Sequence, residues 1–396
     1  MTGTRAWTRE ARRRLPQMRA WRHAFHRVPE IADHEVRTRG IVLRSLREIG
    51  LRGERLPGST GVVATLFRDR PGPVVALRTD MDGLPVEEGT RLSFRSTVPG
   101  MMHACGHDVH LGSLLGAAAM LRQAGGSVRG PVRLIFQPAE EEGTVGGALP
   151  MIERGALDDP QVDYVVGQHV VPELPVGTIG WRTGTLMAAA DRFVLTVRGT
   201  GGHAAYPHRG PDAILAACEI VQGLQSLVSR ATDPLDPVVI SVGSLHGGNR
   251  HNVLPEEVVL EGTVRTIRPS TRDRIESQIR RRASHLAESS GARVRVQYVR
   301  GYPVTSNDPG ATRTIVGALE REFGPDRLVE LAHPVMGAED FSRYLERVPG
   351  SFLFLGTGRP GKPPAELHNA RFAPPDEALA IGAAALAAAT EGLQRA

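Results

Sequence analysis

Short apolar runs that alternate with helical segments constrain the fold of this 396-residue chain more than any other feature. Short apolar runs bounded by polar residues are typical of strands buried on both faces, whereas apolar residues at a spacing of three and four indicate helices. Strands that alternate with helices favour an α/β fold, in which helices cover both faces of a mainly parallel sheet. The predicted strands are Val74–Leu77, Val132–Phe136 and Val162–Val166, and the predicted helices are residues 7–27, residues 35–49 and Asp108–Leu121.

The middle of the chain has a different order of elements. Between about residues 187 and 300 the order is strand, helix, strand, strand, helix, strand, which is the split motif of ferredoxin-like α+β domains. We therefore predict an inserted ferredoxin-like domain at 187–300 and a larger domain formed by 1–186 and 301–396. The predicted strands of the insertion are Arg192–Val197, Pro237–Val242, Glu257–Thr266 and Arg293–Val299, and its predicted helices are Pro211–Val228 and Thr271–Ser289.

Three of the predicted strands of the larger domain are followed by potential metal ligands. Asp80 and Asp82 follow the first strand, Glu140 and Glu141 the second, and His169 the third. In an open α/β sheet, the carboxyl ends of the strands line the ligand-binding crevice. We therefore expect these five side chains to converge on one edge of the sheet.

The segment Met102–His110 contains the densest group of potential ligands. A cysteine and three histidines precede or begin the predicted helix, and a thiolate with imidazoles two residues apart suits zinc or another borderline divalent ion. The structural alternative is a buried cysteine beside histidines at a helix terminus, with Asp108 as the N-cap. The side chains concerned are His103, Cys105, His107, Asp108 and His110.

The paired glutamates Glu140 and Glu141 predict two separate roles. Consecutive side chains point in different directions, so one carboxylate can bind metal while the other faces a substrate as general base. The structural alternative is a solvated turn after Pro138.

Composition excludes several other chemistries. Of the 48 Lys+Arg residues only Lys362 is lysine, which argues against Schiff-base enzymes and against the Gly-Lys-Ser/Thr phosphate loop. The net charge of +5 is dilute, the arginines are scattered and aromatic residues make up only 5%, so we expect no nucleic-acid partner. We find no signal peptide and no apolar run of the about 20 residues that cross a bilayer, so we expect no membrane association. Two cysteines provide no disulfide framework, and we expect a cytoplasmic protein.

Motifs along nearly the whole chain establish a family resemblance. The chain resembles the metal-dependent aminoacylase/carboxypeptidase family of amidohydrolases, and within it the hippurate hydrolase and indole-acetyl-amino-acid hydrolase group. The matching segments, in order, are Phe25–Glu30, Arg78–Pro85, Met102–Asp108, Ile135–Glu141, Gly201–His208, Asn252–Pro255, Gly262–Arg265, Met336–Phe341 and Leu367–His368.

The resemblance implies a catalytic domain with two divalent metal ions per subunit, whose identity could be zinc, manganese, nickel or cobalt. Glu140 would be the general base, and Asp82 would orient a ligand from outside the coordination sphere. Asp80 falls where relatives outside the group have a histidine ligand, so it is a second candidate for such an orienting role. The implied metal ligands are Cys105, His107, Glu141, His169 and His368.

For the inserted domain, the resemblance implies a lid that also forms a dimer contact. His203 and Asn252 would hold the oxyanion, often from the partner subunit, and Arg265 would bind the free carboxylate of the substrate. By themselves these three residues are better explained as a histidine in a glycine turn, a loop cap and an ordinary strand arginine. The implied reaction is hydrolysis of the amide bond of N-acyl amino acids, which releases an acyl acid and an amino acid.

Other functions remain open at this point. Within the same family, a dipeptidase or carboxypeptidase is the nearest alternative. A thiol enzyme with Cys105 as nucleophile would keep its activity after chelation, and a non-catalytic metal-binding protein would show no hydrolysis at all. The sequence leaves the acyl group, the amino acid and the native metal undetermined.

Overall fold

The computed structural model describes residues 6–359, 361 and 365–396, and Lys362 lies outside the described residues. The described α-helices, in chain order, are α1 Ala6–His26, α2 Val36–Glu48, α3 His107–Gln123, α4 Ala148–Glu153, α5 Ala213–Ser229, α6 Pro269–Ser289, α7 Pro309–Phe323, α8 Ser342–Leu345 and α9 Glu377–Leu393. The described strands are β1 Glu54–Arg55, β2 Val62–Leu66, β3 Val75–Asp80, β4 Val132–Gln137, β5 Tyr164–Pro175, β6 Ile179–Trp181, β7 Gly184–Met187, β8 Ala189–Arg198, β9 Gly202–His203, β10 Val238–His246, β11 Val253–Leu254, β12 Glu257–Thr266, β13 Arg293–Arg300, β14 Thr305–Asn307, β15 Leu328–Glu330 and β16 Gly350–Gly358.

The chain forms two compact units. The first unit contains the described residues up to Leu186, together with Ser306–His333 and the described part of Asp340–Ala396. The second unit contains Met187–Thr305 and Pro334–Glu339. It is therefore larger than the predicted insertion at 187–300. Backbone hydrogen bonds explain the difference, because Ala190 N–H donates to Tyr302 O and Ala188 N–H donates to the carbonyls of Val335 and Gly337.

An eight-stranded sheet forms the centre of the first unit, in the order β1-β2-β4-β3-β5-β16-β6-β15. Strand β3 runs parallel to β4 and β5, and β5 runs parallel to β16. Every residue of β3 and β4 is buried, as expected of central parallel strands, so the polar side chains within these strands need buried partners. The carboxyl ends of β3 and β4 lie next to each other, because Asp80 pairs with Gln137.

Small residues allow the helices α1, α3 and α9 to pack closely in the first unit. Gly116 of α3 leaves no room for a side chain, since a β-carbon there would overlap Met18 of α1 and crowd Ala383 of α9. The alanine-rich segment of α9 is buried along most of its length. A segment too short to span a membrane thus serves as a buried core helix.

The second unit contains a four-stranded antiparallel sheet in the order β10-β12-β8-β13, with α5 and α6 packed against it. The first strand of the motif, β8, lies between the third and the fourth, as in ferredoxin-like domains. Phe193, Leu195 and Val197 alternate along β8 and join a core that includes Ile220 of α5 and Ile279 of α6. The predicted fold class, a mainly parallel α/β sheet plus a ferredoxin-like α+β domain, is confirmed.

Among the residues that the structure describes, no helix combines the length and the apolar character needed to cross a membrane.

Candidate metal centre

The candidate site lies where β3, β4 and α3 meet in the first unit. Asp80 is the last residue of β3, Glu140–Glu142 form a 3-10 turn after β4, and His107 is the first residue of α3. His169 differs from the prediction, because it lies inside β5 and not after it. The strand continues beyond His169 because it keeps its parallel pairing with β16, where Phe354 is the partner of His169.

A left-handed glycine places Cys105 beside His107. Gly106 has φ 85°, and a β-carbon there would lie 2.5 Å from Val170 Cγ2, so glycine suits this turn both conformationally and sterically. The turn brings Cys105 Sγ to 3.3 Å from His169 Nε2. Asp108 is not the N-cap that the structural alternative required. It lies in the first turn of α3, where its carboxylate is buried with Arg22 and His26.

The five predicted ligands form two overlapping groups that share Cys105. In each group, one potential ligand atom per residue lies within 4.8 Å of the others. Glu141 Oε1 lies 3.2 Å from His368 Nε2 and 3.9 Å from His107 Nε2, which links the groups. Two sets of three donors with a shared thiol fit a pair of neighbouring ions. The groups are Cys105, His107 and His169, and Cys105, Glu141 and His368.

Hydrogen bonds orient both buried imidazoles with Nε2 toward the cluster. His107 Nδ1–H donates to the carbonyl of Asp82 at 2.9 Å and lies 3.2 Å from its Oδ1, and His169 Nδ1–H donates to Val170 O at 2.8 Å. A carbonyl can only accept, so in both rings Nδ1 carries the proton and Nε2 is the position for a second proton or a metal. His107 Nε2 is buried and has no hydrogen-bond partner within the described part of the chain.

The electrostatics of the site favour a bound cation. Burial lowers the pKa of a histidine, but Asp80, Asp82 and Glu141 outweigh it and raise the pKa of His107 to about 10. Burial, followed by the carboxylates of Glu141 and Glu140, raises the pKa of the Cys105 thiol well above its ordinary value. The same negative field that holds a proton on His107 would attract a divalent ion, whose charge favours the thiolate. The residues present therefore fit a metal centre.

Asp82 orients two of the candidate ligands at once. Its Oδ1 faces His107, while its Oδ2 accepts the backbone N–H of Glu141 at 2.9 Å. This is the arrangement expected of a carboxylate outside the coordination sphere that fixes a histidine and a neighbouring loop.

The carboxylate of Asp80 hydrogen-bonds to two other buried residues, His110 and Arg78. His110 Nδ1–H donates to Asp80 at 2.7 Å, and His110 Nε2 accepts the backbone N–H of Val170 at 2.9 Å. Asp80, His107 and His110 lie close enough together to form a potential metal-binding group. Both ring nitrogens of His110 are engaged within the protein, however, so His110 connects β3 to β5.

A buried arginine, Arg78, supports this edge of the sheet and was not among the predicted site residues. Arg78 donates to Asp80 at 2.8 Å and to Asp340 at 2.7 Å, and it is fully buried. Gln137 of β4 and the backbone N–H of Ala148 also donate to Asp340. The predicted strand ended at Leu77, whereas β3 continues to Asp80, so Arg78 and Asp80 are buried charges that require partners.

His368 differs from the other candidate ligands in its exposure. Its side chain is 53% exposed, and its backbone has φ 63°. Its N–H donates to Ala104 O at 2.9 Å, which joins this loop to the residue before Cys105.

The predicted catalytic residue His203 and the predicted substrate-binding residues Asn252 and Arg265 lie in the second unit, at two separate places. His203 of β9 pairs with Val253 of β11, and Ala204 N–H donates to Asn252 O, so His203 and Asn252 are neighbours. His203 Nδ1 accepts the backbone N–H of Ala205 at 3.1 Å, which leaves Nε2–H of the neutral ring as an exposed donor. Arg265 lies in the middle of the sheet on β12, paired with Ala190 and Val239.

Comparison with known proteins identifies similar chains. The family described as Peptidase family M20/M25/M40 matches residues 76–392. The thermostable carboxypeptidase 1 of Saccharolobus solfataricus is 39% identical over 367 residues, which cover 92% of each chain. The N-acyl-L-amino acid amidohydrolase of Geobacillus stearothermophilus is 40% identical over 324 residues, which cover 79% of this chain and 87% of the relative. A solved dinuclear metal-binding peptidase of the M20 family from Bacillus subtilis has a TM-score of 0.83 and 34% identity, covering 97% of this chain and 99% of its own.

Proposed function

The chain belongs to peptidase family M20/M25/M40, and on that premise we propose that it hydrolyses the amide bond of N-acyl amino acids with two divalent metal ions. The observation that carries the proposal is the buried cluster of Cys105, His107, Glu141 and His169 directly beside Glu140. An N-acyl-L-amino acid amidohydrolase among the relatives supports the choice of substrate class.

The proposed ligands are Cys105, His107, Glu141, His169 and His368. When bound, two divalent ions would polarise the amide carbonyl and make a water molecule more acidic. Zinc, manganese, nickel and cobalt all suit a donor set of sulfur, nitrogen and oxygen.

Glu140 is the proposed general base. Its Oε2 lies 4.0 Å from His107 Nε2, and the side chain is buried at the end of β4. Its carboxylate would take a proton from water as the water oxygen bonds to the acyl carbon. It would then deliver that proton to the amide nitrogen as the carbon–nitrogen bond breaks.

The second unit would supply the contacts to substrate. The outward Nε2–H of His203 and the amide of Asn252 are donors suited to the oxyanion of a tetrahedral intermediate. Arg265 is half-buried, and its guanidinium makes no hydrogen bond or ion pair with any residue that the structure describes. Nearby Asp191 is instead bonded to Arg272 and Tyr298. A partly desolvated guanidinium whose nearby carboxylate, Asp191, is bonded to other residues suits the free carboxylate of an N-acyl amino acid.

We further propose a cytoplasmic homodimer or higher homo-oligomer formed through the second unit. Its sheet ends in the strands β10 and β13, and Leu245 and Val253 are exposed apolar residues of this unit. An open strand edge is a natural template for pairing with a second copy. Both cysteines are free, which agrees with a reducing compartment.

The test is a Glu140→Gln variant assayed on N-benzoyl, N-indole-acetyl and N-acetyl amino acids. We expect hydrolysis by the wild type and a loss of about 10²- to 10⁴-fold in the variant, with metal content unchanged. Glu142→Gln is the matched control, because Glu142 lies in the same turn but is exposed, and its hydrogen-bond partners among the described residues are Thr144, Val145 and Gly146. Wild-type rates in the metal-loaded Glu140 variant would disprove the proposed role.

A dipeptidase or carboxypeptidase is the second candidate, favoured by the carboxypeptidase relative. Comparing kcat/KM for N-acetyl amino acids with kcat/KM for dipeptides of the same C-terminal residue separates the two. Absence of hydrolysis from both substrate sets, with metals bound, would instead indicate a non-catalytic metal-binding protein.

A further inference from the structure

Glu35 is a fully buried carboxylate that belongs to none of the groups described so far. It immediately precedes α2, yet its side chain does not cap that helix. Its Oε1 accepts the backbone N–H of Ala139 at 2.9 Å and that of Asp33 at 3.1 Å, and its Oε2 accepts the hydroxyl of Thr60 at 2.6 Å. One carboxylate thus joins the start of α2 to the turn that follows β4.

Two of the three donors to Glu35 come from strained backbone. Ala139 has φ 56° and Asp33 has φ 63°, both in the left-handed region that non-glycine residues rarely adopt. Such conformations persist only where surrounding contacts hold them. The side chain of Glu35 bonds to the amide of each strained residue, so it stabilises both turns.

Ala139 is the residue directly before Glu140, and it leads into the 3-10 turn Glu140–Glu142. Its left-handed backbone changes the direction of the chain at the end of β4, and this direction decides where the next two side chains point. A right-handed or extended Ala139 would rotate the Glu140 and Glu141 side chains away from His107. The conformation of one peptide therefore controls the general base and a neighbouring ligand together.

The charge of Glu35 is unfavourable for its own burial. Burial, with the nearby carboxylate of Asp82, raises the pKa of Glu35 to about 7, although the bonds from Thr60 and Ala139 oppose this. An apolar side chain of similar volume would avoid that cost but could not bind two amides.

We propose that Glu35 is a positioning residue for catalysis, which orients Glu140 by holding the Ala139 peptide in its left-handed turn. This inference rests on the proposed role of Glu140 as general base. Within the described part of the chain, the other residues that hydrogen-bond to the Glu35 side chain are Asp33, Thr60 and Ala139, and none of them is a proposed metal ligand or substrate-binding residue. Its loss should therefore lower kcat and leave KM largely unchanged.

The test compares Glu35→Ala and Glu35→Gln with Glu30→Ala in the metal-loaded enzyme. Glu30 is the matched control, because its carboxylate also binds two backbone amides and a threonine hydroxyl, but these donors belong to Arg37 and Thr38 and not to the Ala139 turn. We expect kcat of Glu35→Ala to fall about 10- to 100-fold, the range typical of residues that orient catalytic groups, with two ions still bound. Glutamine keeps one acceptor for the Ala139 amide, so Glu35→Gln should retain more activity than Glu35→Ala. Glu30→Ala should keep kcat within about twofold of the wild type.

A second substitution distinguishes positioning from loss of overall stability. Glycine adopts the left-handed conformation without strain. Adding Ala139→Gly to either Glu35 variant should therefore raise its kcat about three- to tenfold. If Glu35→Ala does not fold, Glu35→Gln with and without Ala139→Gly provides the same comparison. A kcat of Glu35→Ala within twofold of the wild type, an equal loss in Glu30→Ala, or no recovery with Ala139→Gly would overturn the proposal.

The outcome is separable from that of the proposed function. If Glu140→Gln is fully active, the proposed general base is wrong whatever Glu35 does. If Glu140→Gln is inactive and the Glu35 variants behave like wild type, only the positioning role is wrong.

Discussion

The two units differ in how their proposed functional side chains are positioned. The first unit carries the proposed metal ligands, and the second carries the residues proposed to contact the substrate. In the first unit, all the proposed ligands except His368 are largely buried, and other buried groups orient the histidines and Glu141. In the second unit, His203 and Asn252 are exposed and Arg265 is half-buried; backbone pairing positions His203 and Arg265, and His203 Nδ1 also accepts the N–H of Ala205. A metal centre needs converging donors before the ion binds, whereas residues that bind substrate need unengaged donors.

Removal of the metal ions tests the buried cluster of proposed ligands in the first unit and should have the largest effect on activity. We expect chelation to abolish hydrolysis and reloading with a divalent ion to restore it, since the site residues without ions lack a Lewis acid. Activity in the presence of excess chelator would contradict the proposed centre.

Alkylation of the metal-loaded enzyme completes this test, because Cys218 is exposed and Cys105 is buried. We expect modification of Cys218 with activity retained, and Cys218→Ser as the control should take up no reagent. Loss of activity from modified Cys105 in a metal-free sample that was still active would favour a thiol enzyme.

His203→Ala tests the exposed residues of the second unit that are proposed to hold the oxyanion. Loss of an oxyanion donor should lower kcat by about 10²- to 10³-fold, with metal content and stability unchanged because the side chain is exposed. His208→Ala is a suitable control, since His208 is an exposed histidine five residues away in the same segment. A drop in metal content in the His203 variant would mean that His203 contributes to metal binding and not only to binding of the oxyanion.

Asp82→Asn should have a smaller effect, and mainly on metal affinity. The carboxylate faces two N–H groups, those of His107 and Glu141, and an amide can accept only one of them while its NH2 group faces the other. We expect metal affinity to fall about 10- to 100-fold, measured by competition with a chelator of known affinity. An unchanged metal affinity would show that the backbone carbonyl of residue 82 is sufficient to orient His107.

Arg265→Met should act on substrate binding. Loss of a charged hydrogen-bonding partner should raise KM for N-acetyl amino acids by about tenfold or more, with little change for the corresponding amino-acid amides, which lack the free carboxylate. Equal effects on both substrate types would exclude carboxylate binding by Arg265.

The pH dependence of the free energy of unfolding tests how much the buried charge of Glu35 destabilises the folded protein. Because the folded-state pKa of about 7 is above its ordinary value of 4.5, the folded protein retains a proton that the unfolded chain releases between these pH values. The contribution of Glu35 to stability is therefore lost as pH rises through this window, by about 3 kcal/mol at most. Urea unfolding at pH 5 and pH 8.5 should show Glu35→Gln gaining stability relative to wild type at the higher pH, while metal binding is common to both proteins. A difference independent of pH would mean that Glu35 has an ordinary pKa.

Local patterns made much of this molecule predictable. The strands and helices of both units follow from short apolar runs and from helical spacing, because burial imposes those periods on the sequence directly. The grouping of Cys105 with His107, and of Glu140 with Glu141, is also local, since each pair lies within three residues. The adjacency of β3 and β4 follows from the rule that sequential parallel strands tend to be neighbours.

The sequence alone therefore determined the fold class, the family and the residue types at the candidate site. Only the tertiary structure decided which groups orient those residues, because their partners are far apart in the chain. Arg78 and Asp340 are 262 residues apart, and Glu35 and Ala139 are 104 apart. The left-handed Ala139 carries no sequence signal, since alanine normally favours a right-handed helix and changes its conformation here through a contact with a distant carboxylate.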